Sequence, residues 1–198
     1  MNIDNKLSIV TMNKYKYEEA REVLSRFGID ALWVRYEPKE IQSDSLLDII
    51  IWKGYDASRV VDYPFVVEDT GLFIKELNGF PGPYSSYVFK TIGLNGILKL
   101  MREVEDRRAL FKSYCLLYLG DNIFKVFNVS VRGTISKMPR GNKGFGYDPI
   151  FIPQGFNKTF GEMDINVKNS ISHRGKLFNI VGDYLHKLRK GEKWYKVR

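Results

Sequence analysis

The chain is almost without cysteine. Cys115 is the only one in 198 residues, which excludes an internal disulfide and fits a reducing compartment. It lies in the apolar run Tyr114-Cys115-Leu116-Leu117. A thiol there acts as a small buried hydrophobe, because reactive thiols need polar, accessible surroundings. Histidine is scarce too, with two copies. His186, among lysines near the end of the chain, reads as a surface residue. No apolar run reaches the length of about 18 residues that a membrane span needs, so no membrane partner is expected. The opening MNIDNKLSIV lacks a basic start followed by an apolar segment of signal-peptide length, and a cytoplasmic location is the expectation. There is no acidic excess: 31 basic residues face 23 acidic ones, for a net charge of +8. That balance favours anionic partners such as nucleotides, nucleic acid or acidic surfaces. The basic residues are dispersed, apart from a modest cluster from Lys187 to Arg198. A dedicated nucleic-acid binder carries a denser stripe, so no stable nucleic-acid partner is expected. Internal repeats, low-complexity tracts and Pro/Gly-rich linkers are also lacking.

What is present is a chain with 44% apolar residues, enough for one domain or one domain of two lobes. Leu7 to Thr11 reads as a strand. Tyr17, Ala20, Val23, Leu24 and Phe27 recur at helical spacing over 14–27, with Gly28 placed as a C-terminal cap. Ala31 to Tyr36 is a second strand. Ser45 followed by Asp48 marks the start of a helix running to Arg59. Phe65-Val66-Val67 is a third, fully apolar strand. This β-α-β-α-β opening predicts a sheet with helices on its faces. The pattern changes near residue 75, which marks a lobe boundary. A short helix follows at 94–103. Two long β-rich runs, 109–119 and 123–131, flank Gly120-Asp121-Asn122 and form a hairpin. A last helix covers 175–189.

Four segments offer chemistry. Thr11-Met12-Asn13-Lys14-Tyr15-Lys16 joins the first strand to the first helix, where backbone N–H groups and the helix dipole favour anions. An ordinary N-cap flanked by solvated lysines accounts for the same residues. Glu68-Asp69 directly follows the third strand and Glu40 follows the second. Two carboxylates so placed can hold Mg²⁺, a hard ion that takes oxygen ligands. A turn or cap aspartate is the simpler account. Asn78 to Ser86 is a turn stiffened by Gly and Pro, which indicates shape and not chemistry. The stretch from Gly141 to Lys176 is the most informative. It contains Gly144-Phe145-Gly146-Tyr147-Asp148-Pro149, then Lys168-Asn169, then Ser172-His173-Arg174. A ring beside a carboxylate, then a hydroxyl, an imidazole and a guanidinium, can stack on a flat heterocycle and read its edge. So many polar groups close together are not expected in a buried core. Read as single motifs, they are equally an exposed turn and a capped helix start with a surface ion pair.

Taken in order, TxNKxK, the segment around Glu40-Ile41-Gln42, VEDTGL, LNGFPGPYS, GFGYDPIF and KNSISHRGK resemble the inosine triphosphate pyrophosphatase family over residues 7–188. Gly82-Pro83-Tyr84 brings the chain nearer to the archaeal and eukaryotic branch. It departs from the family's usual TGN by carrying Met12. The resemblance implies an elongated mixed β-sheet flanked by helices, in two lobes with the active-site cleft between them. It also implies a homodimer, with the turn at Phe80-Pro81-Gly82 and the aromatic helix start from Tyr84 to Phe89 offering apolar surface. The implied activity is hydrolysis of ITP, dITP or XTP to the monophosphate and pyrophosphate. By the same resemblance Thr11, Asn13, Lys16 and Lys53 bind the triphosphate. Glu40 and Asp69 serve Mg²⁺ and the attacking water. Phe145 stacks on the base, Tyr147 and Asp148 complete the pocket, Lys168 contacts the nucleotide, and Ser172, His173 and Arg174 read the purine edge. Two other readings stay open: a pyrophosphatase for other modified nucleotides, and a non-catalytic basic module that binds nucleic acid.

Overall fold

The computed structural model describes residues 5–192; residues 1–4 and the part of the basic C-terminal cluster at 193–198 lie outside them. Seven strands form one mixed sheet. β1 (Lys6–Val10) lies between β2 (Asp30–Val34) and β3 (Phe65–Ile74), parallel to both. β3 continues antiparallel into β5 (Arg108–Gly120), β6 (Ile123–Ile135) and β7 (Phe151–Pro153). The two-residue β4 (Pro81–Gly82) pairs with the far part of β3.

Helices cover both faces. On one face lie α1 (Lys14–Ser25) and α6 (His173–Arg189), whose Ala20, Val23, Leu177, Phe178 and Val181 pack on Ile9, Val66, Cys115 and Leu117. On the other face α2 (Leu46–Ser58) sets Ile50 and Ala57 against Phe65, Val67 and Leu116. Side chains alternate along a strand, so Val66 serves one core and its neighbours the other. This is why the start of β3 is apolar without alternation. Fully burying a side chain such as Phe65 contributes about 1.5–3 kcal/mol. A third core gathers Leu72, Ile74, Phe111, Val131, Phe151 and Phe160. Over these pack α3 (Ser85–Thr91), through Val88, and α4 (Gly93–Leu100), through Ile97.

The expected α1, α2, α6 and hairpin appear. Ser45 caps α2 by accepting from the Asp48 N–H. Asp121 and Asn122 take the positive φ that a tight hairpin turn requires. Both hairpin strands extend beyond the expected bounds, and α6 starts two residues earlier than expected. α1 closes at Ser25, and Gly28 lies beyond its cap, Arg26. The largest correction concerns Glu68 and Asp69. They do not follow the third strand; they lie within it. All ten residues of β3 pair with β5, from Phe65 opposite Tyr118 to Ile74 opposite Ala109, and this long ladder outweighs the polar side chains that suggest a strand end. α3 follows the helix start expected from Tyr84, while α5 (Ile165–Ile171) and the short β4 and β7 are additions.

Candidate active site

The site begins with a gap in the sheet. β1 pairs with β3 at Phe65 and Val66, and β4 pairs with it at Leu72 and Phe73. Between these contacts β3 has a partner on its β5 edge only, so Glu68, Asp69 and Thr70 border a notch. Gly71 lets β4 close the far end, because a Cβ there would meet the Gly82 carbonyl oxygen at 2.5 Å. The notch opens into a cleft of about 590 Å³, large enough for a small organic ligand.

One end of the cleft is built by the α1 N-terminus. Asn13 caps the helix, its Oδ1 accepting from the N–H of Tyr15 (3.0 Å) and Lys16 (3.3 Å), while Thr11 Oγ1 accepts from the Asn13 N–H at 3.0 Å. The ordinary N-cap is therefore present as well. Met12 is not among the residues with positive φ, so the backbone here has no need of glycine, and its side chain is 54% exposed on the cleft wall. Lys16 Nζ lies 2.9 Å from Glu68 Oε2 and 3.7 Å from Asp69 Oδ1. Lys53 Nζ, buried on α2, lies 2.5 Å from Glu40 Oε1 and 3.9 Å from Asp69 Oδ1. Burial pushes the Asp69 carboxyl above the usual carboxylate range despite both lysines. For Lys53 burial acts downward, but Asp69 and Glu40 outweigh it and raise the ammonium.

The other end holds a chain of buried charges. Arg174 donates from Nη1 to Glu19 Oε2 (2.8 Å) and from Nη2 to Glu68 Oε1 (3.1 Å). Lys168 Nζ donates to Glu19 Oε1 and Asp148 Oδ2, both at 2.6 Å. Asp148 Oδ2 also accepts from the Phe145 N–H at 2.7 Å. That closes the turn, and Gly144 permits it with φ +74°. Burial opposes ionisation of Glu19 and Glu68, yet the nearby cations hold both below the usual carboxylate range. Asp148 is instead raised, by burial foremost and by Glu19. The Phe145 ring is stacked on Tyr15, with centroids 5.4 Å apart and an interplanar angle of 16°. The Lys168 ammonium and the Arg174 guanidinium each lie 5.2 Å from that ring centroid. The Tyr147 hydroxyl donates to the Ser85 carbonyl at 3.0 Å. His173 packs on Phe111 at 4.3 Å, and its Nδ1 has no hydrogen-bond partner. Burial, then the nearby Arg174 and Lys168, depress its pKa well below the usual imidazole value, so it is neutral at pH 7.

Eleven expected residues line the cleft: Thr11, Asn13, Lys16, Glu40, Lys53 and Asp69 toward the α1 end, and Phe145, Tyr147, Asp148, His173 and Arg174 toward the other. Lys168 and Ser172 stand behind this lining. Ser172 caps α6 by accepting from the Gly175 N–H at 3.1 Å. The expectation that so dense a polar cluster avoids burial is corrected, since Ser172, His173 and Arg174 are all buried. The ion pairs of Arg174 are likewise interior, not surface, pairs. Tyr15 and Lys90 line the cleft and Glu19 is buried behind it, and all three are absent from the expected set. Glu19 carries one signal: an acid four residues before Val23 interrupts the apolar face of α1.

The donor set bears on a metal. Four cations line the cleft (Lys16, Lys53, Lys90, Arg174) against five carboxylates (Glu37, Glu40, Glu68, Asp69, Asp148). Such a lining attracts a polyanion weakly unless a divalent cation joins it. Among the described residues no three His, Cys, Asp or Glu side chains converge into a ready-made metal cage. The fit is therefore to an ion held by one or two carboxylates plus ligand oxygens, as Mg²⁺ commonly is. No helix among the described residues is long and apolar enough to cross a membrane.

Fold and cleft together define an α/β protein with an acid-and-lysine end and an aromatic–guanidinium end. The chain belongs to the Ham1 family, whose profile matches residues 7–183. It is 49% identical over 168 residues to a dITP/XTP pyrophosphatase of Hyperthermus butylicus, covering 85% of this chain and 88% of that protein. It is 47% identical to a dITP/XTP pyrophosphatase of Pyrococcus horikoshii, covering 91% and 96%. Among solved structures, the Ham1 protein of Staphylococcus aureus superposes with a TM-score of 0.76 at 27% identity, covering 94% of this chain and all of that one. A HAM1 protein from Coxiella burnetii gives 0.79 at 27% identity, covering 92% and 98%.

Proposed function

We propose that this protein hydrolyses non-standard purine nucleoside triphosphates (dITP, ITP and XTP) to the monophosphate and pyrophosphate, by attack of water on the α-phosphorus. One observation carries the reading. A single cleft presents lysines and carboxylates at one end and, at the other, an aromatic ring with a buried arginine and a neutral histidine. That division suits a ligand with phosphates on one side and a flat, oxygen-bearing base on the other. The family membership and the names of the archaeal relatives support it.

Thr11, Asn13, Lys16 and Lys53 bind the phosphates, with the α1 N-terminus adding its dipole. Glu40 and Asp69 would hold Mg²⁺, which supplies neutralisation of phosphate charge when bound. Asp69 takes the proton of the attacking water at a carboxylate oxygen. Its carboxylate borders the notch, 3.7 Å from Lys16 Nζ and 3.9 Å from Lys53 Nζ, where the phosphates would lie. Phe145 stacks on the base after Tyr15 moves aside, and Tyr147 and Asp148 hold the turn that carries it. His173 Nδ1, unpartnered, and Arg174 meet the base edge. A 6-oxo group accepts from Arg174, whereas the 6-amino group of adenine leaves that donor unmatched; sites of this kind discriminate by about 10⁴-fold or more. Lys168 and Ser172 support the base end from behind, Lys168 by fixing Asp148 and Ser172 by capping α6. The two ends of the sheet act as lobes around the cleft, in a cytoplasmic homodimer.

The test is pyrophosphate release from ATP, GTP, ITP, XTP and dITP, with and without Mg²⁺. Rapid release from ITP, dITP or XTP that needs Mg²⁺ is expected, with ATP far slower. Equal rates on ATP and ITP would sink the base assignment, and full activity in EDTA would sink the metal.

A further inference from the structure

Three of the four cations lining the cleft are already committed. Lys16 faces Glu68, Lys53 faces Glu40, and Arg174 is held between Glu19 and Glu68. The fourth, Lys90, is not. It lies in the last turn of α3, exposed to solvent, and has no ion-pair partner among the described residues. Ser86 lies one helical turn earlier and also lines the cleft, so residues four apart on one helix face present a hydroxyl and then an ammonium to the same wall. Val88, between them, points into the third core and anchors the helix. α3 thus brings a charge to the cleft from a part of the fold distinct from α1 and α2.

A lysine already bound to a carboxylate gains only the difference when phosphate replaces that partner. An unmatched lysine gains the whole charge-assisted interaction, because it gives up only water. In a lining where carboxylates outnumber cations, Lys90 is therefore the cheapest source of attraction for a polyanion. Its helix supplies no competing demand, since a cation in the last turn is merely favourable there and does not have to face a cleft.

We infer that Lys90 is a further substrate-binding residue, which reaches across the cleft and pairs with the phosphates of the bound nucleotide. The inference rests on the proposed function. Unlike Lys16 and Lys53 it lies on an exposed wall, so it can engage the ligand after the base has docked.

The experiment compares wild type with Lys90→Gln, Lys90→Arg and, where Gln fails to fold by circular dichroism, Lys90→Met. KM and kcat for dITP are measured, together with inhibition by inorganic pyrophosphate and by inosine, which lacks phosphate. Removing a charged hydrogen-bond donor to phosphate should raise KM about tenfold and weaken pyrophosphate inhibition in parallel. Inosine inhibition should be unchanged, and Lys90→Arg should restore most of the loss. Unchanged KM and pyrophosphate inhibition in Lys90→Gln would overturn the inference and leave Lys90 a solvated helix end. Equal weakening toward inosine would overturn it too, by showing a general disturbance of the cleft. If wild type releases no pyrophosphate from any nucleotide, the proposed function falls instead, and direct binding of pyrophosphate to the four proteins still decides the role of Lys90.

Discussion

Glu19 Oε1 accepts a hydrogen bond from Lys168 Nζ at 2.6 Å across 149 positions of sequence. The other oxygen of the same carboxylate holds Arg174. One buried acid on α1 thus fixes two cations of the segment that runs from α5 into α6. Removing any one member strips each neighbour of one of its partners, and breaking a buried pair typically costs up to about 3–5 kcal/mol.

Arg174→Ala is therefore expected to change two things at once. Thermal unfolding should begin earlier, at roughly 2–4 °C per kcal/mol for a chain of this size. The kcat/KM for ITP should fall by about one to two decades, since a charged donor is worth roughly 1.5–3 kcal/mol, and the ITP-to-ATP ratio should narrow. A lower melting temperature with an unchanged ratio would remove Arg174 from base reading and leave it a structural residue.

Asp69→Asn keeps the shape of the side chain but loses the base. Turnover should fall by about 10²- to 10⁴-fold with little loss of stability, because the wild-type carboxyl is disfavoured by burial in its charged form. More than about a third of wild-type turnover in saturating Mg²⁺ would refute the role.

His173 gives the pH dependence of stability a definite sign. Burial holds its folded pKa well below the ordinary imidazole value of 6.5, so the unfolded chain takes up a proton that the folded chain refuses. The stability linked to this residue is fully present above pH 6.5 and is lost as pH falls below it. Urea midpoints should drop between pH 7.5 and 5.5 in wild type and drop less in His173→Gln. The carboxylates held down by their cations, Glu19 and Glu68, add losses only below about pH 4.5. Parallel pH profiles for the two proteins would contradict the buried neutral state.

Homodimerisation can be tested at the surface around α3. Phe80, Tyr84, Tyr87 and Phe89 are exposed there, Tyr87 at 69%, and exposed clusters of large apolar groups mark interaction surfaces. Light scattering at micromolar concentration should report about twice 23.0 kDa, and Tyr87→Glu should shift the population toward monomer. A single 23.0 kDa species in wild type would end the proposal.

Elements whose local signals agree can be read from sequence alone. α2 has Ser45 as cap and Asp48 in its first turn, and the hairpin has apolar runs on both sides of Gly120-Asp121-Asn122. β3 is legible only as far as Val67, because Glu68 to Gly71 resemble a strand end and their pairing with β5 is a property of the assembled sheet. α5 is seven residues long, too short for periodicity to show. At the site, motif order identifies which segments converge. It does not tell which side chains face the cleft and which stand behind it, as Lys168 and Ser172 do. For Lys168 that distinction depends on Glu19, whose carboxylate finds its partners only after distant parts of the chain have packed together.

The break in pairing along β3 has a consequence for any survey of this protein by substitution. Between Val66 and Leu72 one edge of the strand offers peptide groups to the notch, and Lys16 already approaches the Glu68 carbonyl at 3.5 Å. Peptide groups are the same whichever amino acid supplies them. A scan that exchanges side chains will therefore leave this part of the site intact at every position and will undercount what the notch contributes. Ester replacement of single amide bonds along 67–71 would expose it.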